Sequence, residues 1–242
     1  MSQHSVFSPS ASHRWLSCAG SVKLSAKCPN PSSPAAMEGT DAHGLAELCF
    51  SSGKPAADFI GEKGQSGLCF SKSMAKHVQT YVDYVNEYKA QTNGTLLVEK
   101  RVSIASVDER IYGTSDVILL SESPASLDVF DLKYGKWAVE VETSTQLMIY
   151  ALGAIESLNV DLAKLRHVTA HICQPRSKHK DGPNRSTKFS VESLMHLKSQ
   201  IATTVKLADE ENPPLYSGEH CRFCPAELIC PELNSLGRAI QI

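Results

Sequence analysis

The stretch SLDVFDLKYGK, residues 126–136, sets Asp131 and Lys133 into an apolar strand signal that is about to turn. Side chains two apart on a strand point to the same side of the sheet, so this carboxylate and this amine share a face. Buried charges are costly unless they pair or hold a metal, and the stretch therefore reads as a structural salt bridge or as part of a site. Its surroundings set the fold. TLLVEKRVSIA (95–105) and IYGTSDVILL (111–120) are two further strand signals, and the short connections suit an antiparallel meander. A helix over TSTQLMIYALGAIESLN (143–159) follows, then a strand over LRHVTAHICQ (165–174). A polar, basic stretch, PRSKHKDGPNRSTKF (175–189), leads to a helix over VESLMHLKSQIATTVKLADEE (191–211). Ahead of the meander stand helices near AMEGTDAHGLAELCF (36–50) and over SKSMAKHVQTYVDYVNEYKAQ (71–91). In the second, Met74, Val78, Tyr81, Val82, Val85 and Tyr88 recur at helical spacing. Residues 1–36 read as irregular, with one short helix around SHRWLSCAGSVKL. This order predicts an α/β fold, a mixed central sheet flanked by helices.

The bulk numbers exclude several classes. The chain has 242 residues, 42% hydrophobic and 21% charged, which is ordinary globular composition with ample core. Its net charge of −2 carries no global nucleic-acid signal, so any such binding needs a local patch. The N-terminus lacks the pattern of a signal peptide, and no stretch approaches the ~18 apolar residues of a membrane span. A soluble cytoplasmic protein is expected. Eight cysteines then need an account other than disulfides. Cys221, Cys224 and Cys230 form a C-x2-C-x5-C cluster in HCRFCPAELICPEL, a metal-ligand spacing against which the bland alternative is free thiols in a tail.

Asp131 and Lys133 have company. Asp116, in GTSD, lies in a similarly apolar strand, and a hairpin between the two strands brings both carboxylates to neighbouring positions. Facing carboxylates repel unless a proton or a divalent cation sits between them, and oxygen ligands favour Mg²⁺ or Mn²⁺. His43 and Glu47 stand at i and i+4 on one predicted helix, Gln146 and Tyr150 at i and i+4 on another. Each pair alone says little; their order along the chain says more.

The series GTDAHGLAE, GTSD, DLK and QLMIY resembles the motif set of the PD-(D/E)XK nucleases in their RecB-like exonuclease branch. The resemblance implies a restriction-endonuclease-like core with His43, Asp116 and Asp131 as metal ligands and the Leu132 carbonyl as a fourth. It implies Lys133 as the catalytic lysine, with Gln146 and Tyr150 supporting the site or contacting DNA. Glu99, in LLVEKRV, occupies the first strand, where relatives carry an acidic residue in some cases. Ser115 before Asp116, and Asp rather than Glu at 131, depart from the superfamily pattern without removing a ligand. RWLSCAGS, with Cys18, and the trio Cys221, Cys224 and Cys230 resemble the CRISPR-adaptation and AddB types, which hold a [4Fe–4S] cluster on one N-terminal and three C-terminal cysteines. DLKYGK, QLMIYALGA and HCRFC also resemble a phage- and prophage-associated family of this group.

On that likeness the whole chain, 1–242, would be one nuclease domain, with 10–36 and 215–235 forming a cysteine-cluster cap that joins the termini. It would be a metal-dependent DNase, an exonuclease on single-stranded or end-containing DNA, working beside phage recombination or replication proteins in the host cytoplasm. Structural Zn²⁺ fits four thiolates as well as an iron–sulfur cluster does, with Cys28 a rival to Cys18 and His220 a competitor for a place. Arg176, Lys178, Lys180 and Arg185 of the basic stretch either grip the DNA backbone or line a solvated loop. Trp15 either stacks on a base or packs under the cluster. The competing reading of the whole is a catalytically inactive nuclease-fold protein that binds DNA or serves assembly.

Overall fold

The structure, a computed structural model, describes residues 5–29, 32–122 and 125–239, with the side chains of 236–239 left aside. The expected irregular segment 1–36 lies partly outside them. Within them, helices α1 (Ser12–Ser17) and α2 (Ser21–Ser25) precede the long helices α3 (Pro34–Ser52) and α4 (Lys72–Thr92). Strands β1 (Thr95–Ser103), β2 (Tyr112–Glu122) and β3 (Ala125–Leu132) follow, then α5 (Thr145–Ser157), β4 (His167–Cys173) and β5 (Asn184–Phe189). Helix α6 (Val191–Asp209), two 3-10 turns at Glu219–Phe223 and Glu227–Ile229, and α7 (Pro231–Ala239) close the chain.

Serine caps place the long helices. The hydroxyls of Ser33, Ser71, Ser144 and Ser190 accept from backbone N–H groups at Ala36, Met74, Leu147 and Ser193, satisfying donors that a helix start leaves open. The expected helix over 12–24 is instead two short ones, broken at Cys18, whose extended backbone turns the chain.

The five strands form one mixed sheet in the order β1-β2-β3-β4-β5. β1, β2 and β3 make the antiparallel meander, β4 runs parallel to β3, and β5 is antiparallel to β4. A parallel neighbour requires a crossover, and α5 is that crossover. Period-two alternation divides the strands between two cores. Ile118, Leu127 and Val129 join α5 and α6 on one face; Val117, Leu119, Phe130 and Leu132 join α3 and α4 on the other. Helix α5 is buried on nearly every side from Leu147 to Ile155, as expected of a helix held between a sheet and further helices.

The strand β5 departs from expectation, since 175–189 reads as a polar loop. Only Arg185 and Phe189 of Asn184–Phe189 are buried, so this edge strand carries almost no apolar signal. Pairing with β4, from Val168↔Phe189 to Cys173↔Asn184, makes it a strand. Among the described residues no helix is long and apolar enough to cross a membrane.

Candidate metal and phosphodiester site

Register assembles the site. Val98 pairs with Val117 and Lys100 with Ser115, which sets Glu99 opposite Asp116. Val117 pairs with Phe130, so the next step sets Asp116 opposite Asp131. Three carboxylates therefore stand in one row across β1, β2 and β3. At this row β1 is distorted: Glu99 has φ 45°, a left-handed conformation that costs a non-glycine residue about 1–3 kcal/mol and collects at functional sites.

Helix α3 supplies His43, whose Nδ1 lies 3.2 Å from Asp116 Oδ1. The other oxygen of Asp116 accepts from the Leu132 backbone N–H at 2.7 Å. Ligand atoms of His43, Glu99 and Asp116 all lie within 4.8 Å of one another, a spacing suited to a single cation. Asp131, 3% exposed, is engaged differently. Lys133 Nζ donates to its Oδ1 at 3.1 Å and to Gln146 Oε1 at 2.6 Å, while Gln146 Nε2 reaches Asp131 Oδ1 at 3.2 Å and the Tyr150 hydroxyl at 3.4 Å. Asp131 Oδ2 sits 2.9 Å from Lys133 Nζ, yet the angle makes no hydrogen bond and the atom is buried without one. The His43, Glu99 and Asp116 group, with the Asp131–Lys133 pair beside it, is a nitrogen-and-oxygen donor set suited to a divalent cation.

Electrostatics point the same way. Burial pulls the His43 imidazole down, but the Asp116 charge and hydrogen bond override it, with Asp131 and Glu99 adding, so its pKa is pushed up to about 9. Burial, then the Asp116 charge, pushes Glu99 up to about 7 against the pull of His43. Burial also works to raise Asp116, yet His43, the Leu132 N–H and Lys133 hold it below the usual carboxylate range. Asp131 is raised, chiefly by burial and by the Asp116 charge, with Lys133 opposing. Carboxylates gathered this closely raise one another's pKa and that of the facing imidazole, the electrostatic setting in which a cation would balance the charge.

The cleft, about 460 Å³, is lined by His43 and Glu47 from α3, Glu99 from β1, Asp116 from β2, Asp131 and Lys133 from β3, and Gln146 and Tyr150 from α5. Gly113 lets Tyr150 approach: a Cβ there would meet Pro9 Cγ at 2.8 Å and the Tyr150 ring at 3.0 Å. The acidic residue in TLLVEKRV belongs at the centre. Register brings Glu99 there, a position the resemblance had named only as one where some relatives carry an acidic residue.

The basic stretch divides. Lys178 and Lys180 are exposed, while Arg176 is bonded to Glu38 at 2.6 Å and lies over the Tyr134 ring. Arg185 is a correction to the expected DNA-contacting set. It is 6% exposed and bonds the carbonyls of Gly182 and Val139 and Gln174 Oε1, so its cation serves the loop rather than a phosphate.

The segment around Cys18 docks against the segment that leads to Cys221 and Cys224. The Tyr216 N–H points at Cys18 Sγ (3.5 Å), Ser25 Oγ lies 3.9 Å from Cys224 Sγ, and Gly20 N–H donates to Pro214 O at 2.9 Å. Gly20 is needed for that approach, because a Cβ would meet Leu215 Cδ2 at 2.6 Å. The sulfurs are free, and among the described residues no three of them gather within 4.8 Å, wider than the ~3.8 Å edge of a tetrahedral zinc–thiolate site. Cys28, just past α2, reaches back to Leu24 O. His220 Nε2 donates to Tyr216 O at 2.9 Å. Trp15 is 1% exposed, donates to Ser8 O and packs edge-on against Phe7, so it belongs to the core.

A family model described as "Protein of unknown function (DUF2800)" matches residues 4–238. The chain belongs to that family. Two solved structures resemble this DUF2800 member. One is named "Putative exonuclease", from Eubacterium rectale, with 13% identity, TM-score 0.48, and 89% of this chain and 86% of that chain covered. The other is SSO0001, with 14% identity, TM-score 0.33, and 88% and 95% covered. Both superpositions are loose, and the functional reading of this DUF2800 chain rests on its own residues.

Proposed function

We propose that this protein is a metal-dependent DNA nuclease with a PD-(D/E)XK-type, RecB-like core, an exonuclease on single-stranded or end-containing DNA. The observation that carries the reading is the row Glu99–Asp116–Asp131 across three strands, closed by His43 on one side and Lys133 on the other. His43, Asp116 and Glu99 would hold Mg²⁺ or Mn²⁺; Asp131, the further proposed ligand, is paired with Lys133 beside them. A divalent cation there supplies Lewis-acid polarisation of a phosphate oxygen and a lowered pKa for an attacking water. The Leu132 carbonyl remains in the proposed ligand set; the contact seen from Leu132 is its N–H, which fixes Asp116.

The chain's own groups divide the remaining work. Lys133, placed by Asp131 and Gln146, offers ammonium protons to the attacking water and to the charge that develops on the phosphorus oxygens. Gln146 holds Lys133 and Asp131 in register. Tyr150, whose hydroxyl pKa burial raises, stays protonated and supports Gln146. Lys178 and Lys180 of the proposed DNA-contacting set are exposed and free to meet the DNA backbone, as is Lys188 farther along the basic stretch.

The reading takes 1–242 as one nuclease domain whose 10–36 and 215–235 segments form the cysteine region. Cys18, Cys221, Cys224 and Cys230 would take a [4Fe–4S] cluster, or Zn²⁺ after the sulfurs close in, joining the termini as structural metals do. What supports this is the docking of Cys18 against the residues that lead into the trio. Phage recombination or replication in a host cytoplasm is the proposed setting. The test is oxygen-free purification, then end-labelled single- and double-stranded DNA with Mn²⁺ or Mg²⁺. Degradation abolished by Asp116→Ala and by Lys133→Ala supports the nuclease. Inert wild type that still binds DNA would leave the assembly reading in its place.

A further inference from the structure

A second cavity lies beside the catalytic cleft, between the Pro9–Ala11 turn, α1 and the Glu219–Phe223 turn. Ser10 lines both. The walls of this second cavity carry two guanidinium groups, Arg14 and Arg222, and two imidazoles, His13 and His220, with Glu219 the one carboxylate among them.

Arg14 is the telling residue. It is half-buried, and among the described residues it has no carboxylate partner and no side-chain hydrogen bond, its Nε being buried with no acceptor. Buried donors are nearly always satisfied, so a guanidinium left open on a cavity wall calls for an acceptor from outside the chain. Its planar fork matches the paired oxygens of a phosphate. Arg222 is exposed on the opposite wall, its guanidinium over the Phe223 ring at 5.4 Å. The His13 and His220 rings approach edge-on at 6.4 Å between them. The walls are held in place: Ser12 Oγ bonds Thr145 Oγ1 at 2.7 Å on α5, and Pro9 packs over Gly113.

We propose that this cavity is a phosphate-binding subsite for the nucleic-acid strand entering the Asp116–Asp131 cleft, with Arg14 and Arg222 as its cations and Ser10 at the passage between. The proposal rests on the nuclease reading for the strand's destination. Its ligand chemistry, a phosphate group, could come from an internal phosphodiester or from a phosphorylated end.

The test is fluorescence anisotropy of a labelled single-stranded oligonucleotide on anaerobically purified full-length protein, in EDTA so that nothing is cut. Arg14→Gln and Arg222→Gln should each weaken binding about tenfold and flatten the dependence of log affinity on log salt by about 0.7, one phosphate contact on a single strand. Arg14→Lys should recover part of the loss, since charge returns without the fork. Lys89→Gln, an equal charge change on the far helix α4, should leave both quantities unchanged. Oligonucleotides with a 5′-phosphate, a 3′-phosphate or neither separate the sources. Equal losses on all three mean an internal phosphodiester, and a loss confined to one phosphorylated end means that end. Arg14→Gln and Arg222→Gln binding like wild type, with the same salt slope, would overturn the subsite. Cleavage by wild type and Asp116→Ala, measured alongside with Mn²⁺, reports on the nuclease reading separately. Because Arg222 is exposed, its variant keeps the test valid if Arg14→Gln folds poorly.

Discussion

Metal binding at the row Glu99–Asp116–Asp131 should displace protons, and the two groups with stated pKa values say how many. His43, pushed up to about 9, must lose its proton to ligate; so must Glu99, pushed up to about 7. At pH 7 the His43 proton weakens apparent affinity about a hundredfold and the Glu99 proton about twofold, each a factor of one plus ten to the power of pKa minus pH. Between pH 7 and 9 the log of Mn²⁺ affinity should therefore rise by about one per pH unit; below pH 7 the slope should steepen toward about two, and above 9 it should level off. The assay is calorimetric titration of Mn²⁺ at pH 6, 7, 8 and 9, repeated in buffers of different ionisation enthalpy. At pH 7 the buffer dependence should report about 1.5 protons released per ion. Glu99→Gln should bring that to about one and remove the steeper slope below pH 7. Affinity that stays flat from pH 6 to 9, with no proton release, would refute the assignment of His43 and Glu99 as ligands.

Other outcomes follow from the same geometry. Cys18→Ser and Cys221→Ser should each lower bound iron or zinc in anaerobic protein, read by elemental analysis, while Cys69→Ser should not; equal metal in all three would sink the cluster. His171, stacked on Phe130 at 4.1 Å, sits between the Tyr84 hydroxyl at 2.7 Å and Asp128 at 3.3 Å. Burial keeps its pKa low, so the ring is neutral, and Tyr84→Phe should cost about 1 kcal/mol in urea unfolding through the lost hydrogen bond. Asp128→Ala should cost about 2 kcal/mol, because it leaves the buried Nε2–H of a neutral ring without its acceptor, and a smaller loss than for Tyr84→Phe would contradict this account of the buried pair. Arg110 holds Asp108 and Asp209 below the usual carboxylate range by side-chain hydrogen bonds. Depressed carboxylates stabilise the fold above their unfolded pKa of 3.8 and lose that contribution as pH falls below it. Arg110→Met should thus cost about 1 kcal/mol or less at pH 7, because these groups are partly solvated, and nothing once both carboxylates are protonated. A penalty that persists unchanged at pH 2 would place the effect in packing instead.

Much of the architecture was legible because it depends on local periodicity. Helical spacing in 71–91, alternation at the end of 95–105 and the apolar run that ends 111–120 all act within a few residues, so α3, α4, β1–β4, α5 and α6 stand close to where their patterns put them. The helix over 12–24 was misread as continuous because Cys18 takes an extended backbone, an event with no propensity signature. β5 was missed because an edge strand paired on one side needs few apolar residues, and NRSTKF offers one aromatic at its end.

The sequence by itself determined that Asp131 and Lys133 share a face, that His43 pairs in spacing with Glu47 and Gln146 with Tyr150, and that Cys221 and Cys224 sit on one turn. Each is a relation inside a single element, where bond geometry sets the period. Tertiary structure alone decided the relations between elements. It placed Glu99 beside Asp116, turned Arg185 inward to Val139 and Gln174, and brought Gly20 against Pro214. Strand register and the docking of chain ends are chosen by which faces can be buried together, and that choice is summed over residues far apart in the chain.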